Sequence, residues 1–168
     1  VNTYELGAKT SFETGGMRGT FNISGFYNNF SNQQIQLGFN ANLNRRDPVT
    51  GAPLPSISVP GNAGPVNVGK SRIWGIEADA GLRLFEGFRI DAAYAYLNTR
   101  VIEANVVNLP TDNAYVVSAS IKAGDTLILS PKHKFSISAN YTLPLDESVG
   151  EISIGGTLIY RSSQILNY

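Results

Sequence analysis

The chain has 168 residues, with 13 Lys and Arg balancing 13 Asp and Glu, one His and no Cys. Balanced charge gives no global field for nucleic acid, the missing thiols exclude a disulfide framework and thiolate metal sites, and one histidine leaves little room for a zinc centre or a triad. Charged residues make up only 15%, against ~25% in an average soluble domain, yet no apolar run reaches the ~18 residues of a transmembrane helix.

The first predicted strand is TYELGAKTSFE, with Tyr4, Leu6, Ala8, Thr10 and Phe12 on one face and Glu5, Gly7, Lys9 and Ser11 on the other. The turn TGG supplies the glycines of a tight hairpin. A second strand starts near Met17 with Phe21, Ile23, Gly25 and Tyr27 in register, and its odd-numbered register runs on to Ile35, Leu37 and Phe39, which predicts an unusually long strand. The third, SRIWGIEADAGLRL, sets Trp74, Ile76, Ala78, Ala80, Leu82 and Leu84 against Gly75, Glu77, Asp79 and Arg83. After FEG comes FRIDAAYAYL, where Phe88, Ile90, Ala92, Tyr94 and Tyr96 oppose Arg89, Asp91, Ala93 and Ala95. FSISANYTL alternates Phe135, Ile137, Ala139, Tyr141 and Leu143 with Ser136, Ser138, Asn140 and Thr142. The sixth, EISIGGTLIYR, puts Ile152, Ile154, Leu158 and Tyr160 opposite Glu151, Ser153 and Thr157. No amphipathic helix of useful length competes with these strands.

Short connections, at residues 14–16, 85–87 and 144–150, alternate with long ones, at about 40–67 and 102–131. That alternation places every short turn at one end of a meander and every long loop at the other, as in outer-membrane barrels. The first long loop holds Pro48, Pro53, Pro55, Pro60 and Pro65, and the remaining prolines fall outside strand interiors. Part of the second, AYVVSASI, has the pattern of a small hairpin of its own. Aromatics six residues apart on the apolar faces, Phe21 and Tyr27, Phe88 and Tyr94, Phe135 and Tyr141, are compatible with two girdles.

A soluble antiparallel sandwich explains the alternation equally well. It accounts poorly for Glu77, Asp79, Arg89 and Asp91 along one face of long strands, and it does not predict the asymmetry of the connections.

Blocks taken in order, YELGAKTSF, GTFNISGFYNNFSNQQIQ, GKSRIWGIEADAGLRL, FRIDAAYAYLNTR, LSPKHKFSISANYTLPL and GGTLIYRSSQ, resemble the late barrel strands of TonB-dependent outer-membrane receptors. The most specific are GKSRIWGIE and SPKHKFSISANY, each an entry into a descending strand. The resemblance implies an all-β fold, an antiparallel up-and-down meander forming about six strands of a 22-stranded transmembrane β-barrel. It also implies that residues 1–168 are a partial barrel domain, with the N-terminal plug, the TonB-contacting box and the closing strands lying outside the chain. The VNTYELGAKT start lacks the features of a signal peptide, so any export signal is expected upstream as well.

Under that resemblance the function is energy-coupled uptake of a scarce nutrient, such as a ferric siderophore, across the outer membrane of a Gram-negative bacterium. The partners are outer-membrane lipid and lipopolysaccharide, the protein's own plug, the TonB complex and the extracellular nutrient. The lipid-facing set is Phe21, Ile23, Tyr27, Ile76, Leu82, Ile90, Tyr94, Phe135, Ile137, Tyr141, Ile152, Ile154, Leu158 and Tyr160. The set facing lumen or plug is Glu77, Asp79, Arg83, Arg89, Asp91, Ser136, Ser138 and Asn140, each of which also reads as merely solvated. In the loops, Arg45, Arg46, Lys70 and Arg72 suit an anionic ligand, with Trp74 and Tyr115 as stacking surface. The same basic residues equally suit lipopolysaccharide phosphates at the rim. Neither a metal site, a cofactor nor an enzyme is expected: His133 has no second His, Asp47 and Asp112 lack calcium-loop spacing, and nothing orders His133 toward a nucleophile. A passive porin-like barrel and a soluble β-sandwich used for binding or adhesion are the alternatives.

Overall fold

The computed structural model describes residues 1–43, 45–55, 57–67, 69–104, 115–117, 121–146 and 148–166. Among these described residues nine strands follow in chain order: β1 (Asn2–Thr14), β2 (Met17–Ser31), β3 (Gln34–Leu43), β4 (Ile57–Asn67), β5 (Gly69–Phe85), β6 (Phe88–Ala104), β7 (Tyr115–Val117), β8 (His133–Thr142) and β9 (Ser153–Arg161). Six of them form one sheet in the order β1-β2-β5-β6-β8-β9, antiparallel throughout, and β4-β3-β7 form a second. This is the six-stranded meander expected from the alternation.

Turn chemistry sets the register at the short end. Thr14 pairs with Met17 across Gly15 (φ 56°) and Gly16 (φ 82°), both in the left-handed region that a two-residue primed turn requires. Phe85 pairs with Phe88 around Gly87 (φ 80°), where an added Cβ would collide with the carbonyl oxygen of Thr142. That oxygen's own residue donates its backbone N–H to Gly87 O at 2.8 Å, so the β5–β6 turn is tied to the end of β8.

At the long end the structure departs from the expected boundaries. The second strand does not run unbroken to Phe39. It stops at Ser31, Asn32 takes a left-handed φ of 57°, and β3 starts a new sheet at Gln34. Much of the expected 40–67 loop is β4, paired with β3 from Gln34↔Asn67 to Leu43↔Ile57. Pro60 and Pro65 are tolerated because β4 is an edge strand, whose outward side needs no N–H donors. A register shift beside Pro60, between Gly38 and Asn40, absorbs the rest of the misfit.

β6 extends past the expected Leu97 to Ala104 because β5 continues opposite it as far back as Gly69. Tyr115–Val117, within the expected small hairpin, instead joins β3. Ile152 precedes β9 and accepts a hydrogen bond from Leu143 N at 2.9 Å.

The two faces of the large sheet are chemically distinct across all six strands. One cross-strand row reads Thr10, Phe21, Ala80, Ala92, Ile137, Leu158, and its neighbours are as apolar. The row displaced by one residue reads Lys9, Asn22, Asp79, Ala93, Ser136, Ile159. Nothing among the described residues covers the apolar face: Ile76, on a central strand, is 42% exposed and Leu158 59%. Among the described residues the buried hydrophobic side chains are Val101 and Leu127, both at the long-loop end, and Val101, opposite Ser71, is in the polar-face register. A soluble sandwich needs a second sheet over the apolar face, and the described residues supply none.

Candidate functional site

Hydrogen-bonded pairs run across the polar face of the large sheet. Asn22 donates to Asp79 at 2.8 Å between β2 and β5. Arg89 grips Asp91 with two bonds of 2.6 Å, while Ser138 and Thr157 share one at 2.9 Å between β8 and β9. Nearer the turns, Arg18 meets Glu13 at 2.9 Å and the Thr142 and Ser153 hydroxyls meet at 2.9 Å. These groups remain exposed, so they form a hydrated wall on which part of the charge is internally paired. Arg83 stands on this face opposite both Arg18 and Arg89, and Glu77 opposite Ser24 and Ala95. Asn140 stands opposite Arg89 and Gly155.

On the apolar face, aromatic side chains collect at two levels. At the turn end Phe85, Phe88 and Tyr141 pack with ring centroids 5.1 to 6.1 Å apart. Toward the loops Trp74 meets Tyr96 at 5.3 Å, Phe135 stacks on Tyr160 at 5.4 Å, and Tyr94 OH lies 2.9 Å from His133 Nδ1. Tyr4, Tyr27 and Trp74 stand side by side in register with this upper group. From Phe88 to Tyr96 the strand advances eight residues, about 20 Å of rise at ~3.3 Å per residue and a tilt near 40°. Between the belts lie Ile23, Ala78, Ala80, Ala92 and Ile137, while Leu82 and Ile90 pair close to the lower one. Ile154 pairs with Tyr141 at the same level.

The predicted loop residues are not brought together. Arg45 and Arg46 sit at the tip beyond the β3–β4 hairpin, where Arg46 donates to Gly51 O at 3.1 Å. Beside them Asp47 accepts from the N–H groups of Val49 and Thr50 at 2.8 Å each, and these bonds, Thr50 foremost, hold its carboxyl below the usual carboxylate range. Lys70 and Arg72 lie at the other end of that hairpin, ten residues of β3 away. Lys70 is paired with Glu103 at 2.7 Å. Arg72 follows Trp74 on the apolar face, directly across from Arg100, and its Nε is buried without a partner among the described residues. Trp74 belongs to the upper aromatic belt, and the Tyr115 side chain lies outside the described residues.

Sequence reasoning set Ser153 and Thr157 on the polar face without their bonding partners, and it missed Asn22. The pairings become visible only once cross-strand register is known, since the partners Asn22 and Asp79 are 57 residues apart.

The chain matches the family model of the β-barrel of TonB-dependent receptor-like proteins over residues 1–167. The chain belongs to this family. No curated protein and no solved structure matches it. For a TonB-dependent receptor barrel the arrangement is coherent, because strands that cross an outer membrane need apolar residues outward and polar ones inward on alternate positions. The family is one of outer-membrane receptors, and the chain shows its meander, its short-turn end and its long-loop end.

Proposed function

We propose that this chain is a segment of the wall of an outer-membrane receptor that takes up a scarce nutrient, a ferric siderophore being the leading class, with energy supplied through TonB. The observation that supports the reading is the pair of faces, one mainly apolar and one mainly polar, maintained through six paired strands. The apolar face, with Phe21, Ile23, Tyr27, Ile76, Tyr94, Ile137 and Leu158, meets lipid. The polar face, with Asp79, Arg89, Asp91, Ser136 and Ser138, lines the lumen and holds a plug by exchangeable hydrogen bonds. β1 and β9 are the sheet's two edges and offer unpaired backbone groups to further strands, so residues 1–168 constitute part of one barrel domain. Near the turns Arg83 stands between Arg18 and Arg89, which are themselves paired with Glu13 and Asp91.

The test is uptake of radiolabelled ferric siderophores by cells carrying or lacking the full-length protein, with and without TonB. Uptake that needs both supports the reading. Uptake indifferent to TonB identifies a passive pore, and recovery of the protein without detergent in the soluble fraction refutes a membrane role altogether.

A further inference from the structure

Close to the short turns, one cross-strand row on the polar face takes a residue from each of the six strands: Glu13, Arg18, Arg83, Arg89, Asn140 and Gly155. Three guanidinium groups therefore stand side by side in it, and like charges directly opposite one another across strands are destabilising. The outer two are offset: Arg18 Nε lies 2.9 Å from Glu13, and Arg89 holds Asp91 through two bonds of 2.6 Å. Arg83, in the middle, has no ion pair among the described residues.

The next row leaves room for a counter-ion. There Thr20, Gly81 and Asp91 stand opposite one another, so the position beside Arg83 on the same face of β5 carries no side chain. A Cβ placed on Gly81 would come within 3.1 Å of Asp91 Oδ1 and 3.3 Å of Thr20 Oγ1, with Arg89 Nη2 at 3.8 Å. The glycine is thus the floor of a notch, with a hydroxyl on one side and the Arg89–Asp91 pair on the other. The notch adjoins a recess of about 520 Å³ whose lining includes Arg18, Arg83, Arg89 and Thr20, with Glu13 as its one carboxylate. Even with Asp91 included, two carboxylates meet three guanidiniums, and the positive charge left over sits on the arginine without a partner.

We propose that Arg83, with Arg18 and Arg89 on either side, is an oxyanion site that takes a carboxylate or phosphate group of a small solute in the lumen. The planar fork of Arg83 matches two oxygens of such a group. Arg18 uses only Nε on Glu13, and Arg89 uses Nε and Nη2 on Asp91, so both retain donors for the same anion. A bound anion also offsets the repulsion along the row, so occupancy stabilises the wall. The row adjoins the Phe85–Phe88 turn pair, which in a barrel of this kind lies at the periplasmic end, so an anionic solute leaving the lumen meets this site last. The proposal rests on the reading that the polar face lines the lumen.

The experiment uses the full-length protein in detergent, with citrate and inorganic phosphate as probes and chloride at equal ionic strength as the reference. Calorimetry on the unmodified protein should show saturable binding of both probes, at least about tenfold weaker in Arg83→Gln. Lys9→Gln, which removes a cation from the same face two rows away, should bind them as the unmodified protein does. A urea series adds a second signature. Without the probes Arg83→Gln should unfold at the same or a higher urea concentration, because repulsion is relieved; with them the midpoint should rise in the unmodified protein and not in Arg83→Gln. Absence of saturable binding to the unmodified protein overturns the proposal however the variants fold, and so does an equal loss in Lys9→Gln, which would make the effect one of general charge. A lower midpoint for Arg83→Gln without probes also overturns it, since Arg83 would then already hold a carboxylate of the full-length protein. Heat-modifiable migration of the same preparation tests the membrane reading separately: its absence removes that reading, whereas its presence without anion binding removes the site alone.

Discussion

Arginine at Ile137 tests the face assignment at its most demanding point. Ile137 is flanked across the strands by Ala92 and Leu158 and is 40% exposed on the apolar face. Ala92 lies four residues from Phe88 and four from Tyr96, so this row sits about 10 Å from either aromatic belt, close to the midplane of the band. A cation there costs roughly 2–4 kcal/mol, a fall of roughly 30- to 800-fold in the equilibrium for insertion. Ser138 is the next residue, yet it stands opposite Asp91 and Thr157 on the polar face. Arginine at 138 faces water and an acidic neighbour, and its cost is within ~1 kcal/mol. The assay is the fraction of full-length protein with heat-modifiable migration after refolding into vesicles, followed across a urea series. Ile137→Arg should shift the midpoint strongly and Ser138→Arg little. Equal shifts, or the reverse order, would refute the register and the division into lipid and lumen faces.

Gly87→Ala should destabilise by about 1–3 kcal/mol, since it combines a left-handed φ of 80° with a collision against Thr142. Gly15→Ala, with φ 56° and open space around it, should cost less in the same urea titration. Cysteines at Phe39 and Val117, paired residues of β3 and β7, should join the two long loops on oxidation, read as a changed fragment pattern after protease cleavage between them. No crosslink would count against that pairing. At the hairpin tip the Asp47 carboxyl is held below its ordinary value of 3.8 by backbone donors, so the unfolded tip binds a proton more readily than the folded one. The order it confers is fully present above the ordinary value and is lost as pH falls through the depressed one. Hydrogen-exchange protection of residues 47–52 should therefore drop below about pH 4, and Asp47→Ala should abolish that pH dependence.

What could be read in advance follows from range. The alternation of FSISANYTL and the glycines of TGG are local signals, and they placed strands, turns and faces to within a few residues. β4 was hidden because Pro60 and Pro65 are ordinarily evidence against a strand, and only its edge position, a tertiary fact, reconciles them with one. The break at Asn32 was hidden because periodicity persists through it. The cleft of about 580 Å³ lined by Arg100, Lys132 and Ser162 was invisible for a different reason: these residues come from three separated segments. Extending the pairing of Phe135 with Tyr160 by two residues sets His133 against Ser162, a step that needs the register first. The basic loop residues were judged by charge alone, which gave no notice that Lys70 is paired or that the β3–β4 hairpin carries Arg45 and Arg46 far from Arg72.

The β3–β4 hairpin has a consequence for the order in which the chain assembles. β2 and β5 can pair only after residues 32–69 have been closed into a loop, an entropic cost that falls before any strand contact repays it. Because β3 and β4 zip together first, the part left to close shrinks to the tip at 44–56, and by the logarithmic law the closure becomes easier by about 0.9 kcal/mol. Gln33 N, bonded to Gly69 O at 3.1 Å, then delivers the ends of β2 and β5 to each other already in register. Among the described residues between β6 and β8, Tyr115–Val117 pairs with β3 rather than within its own loop. Closing the segment from Ala104 to His133 spans more residues than the 44–56 tip, so β8 should join β6 later, with the four strands before it as a ribbon to which the β8–β9 hairpin is added.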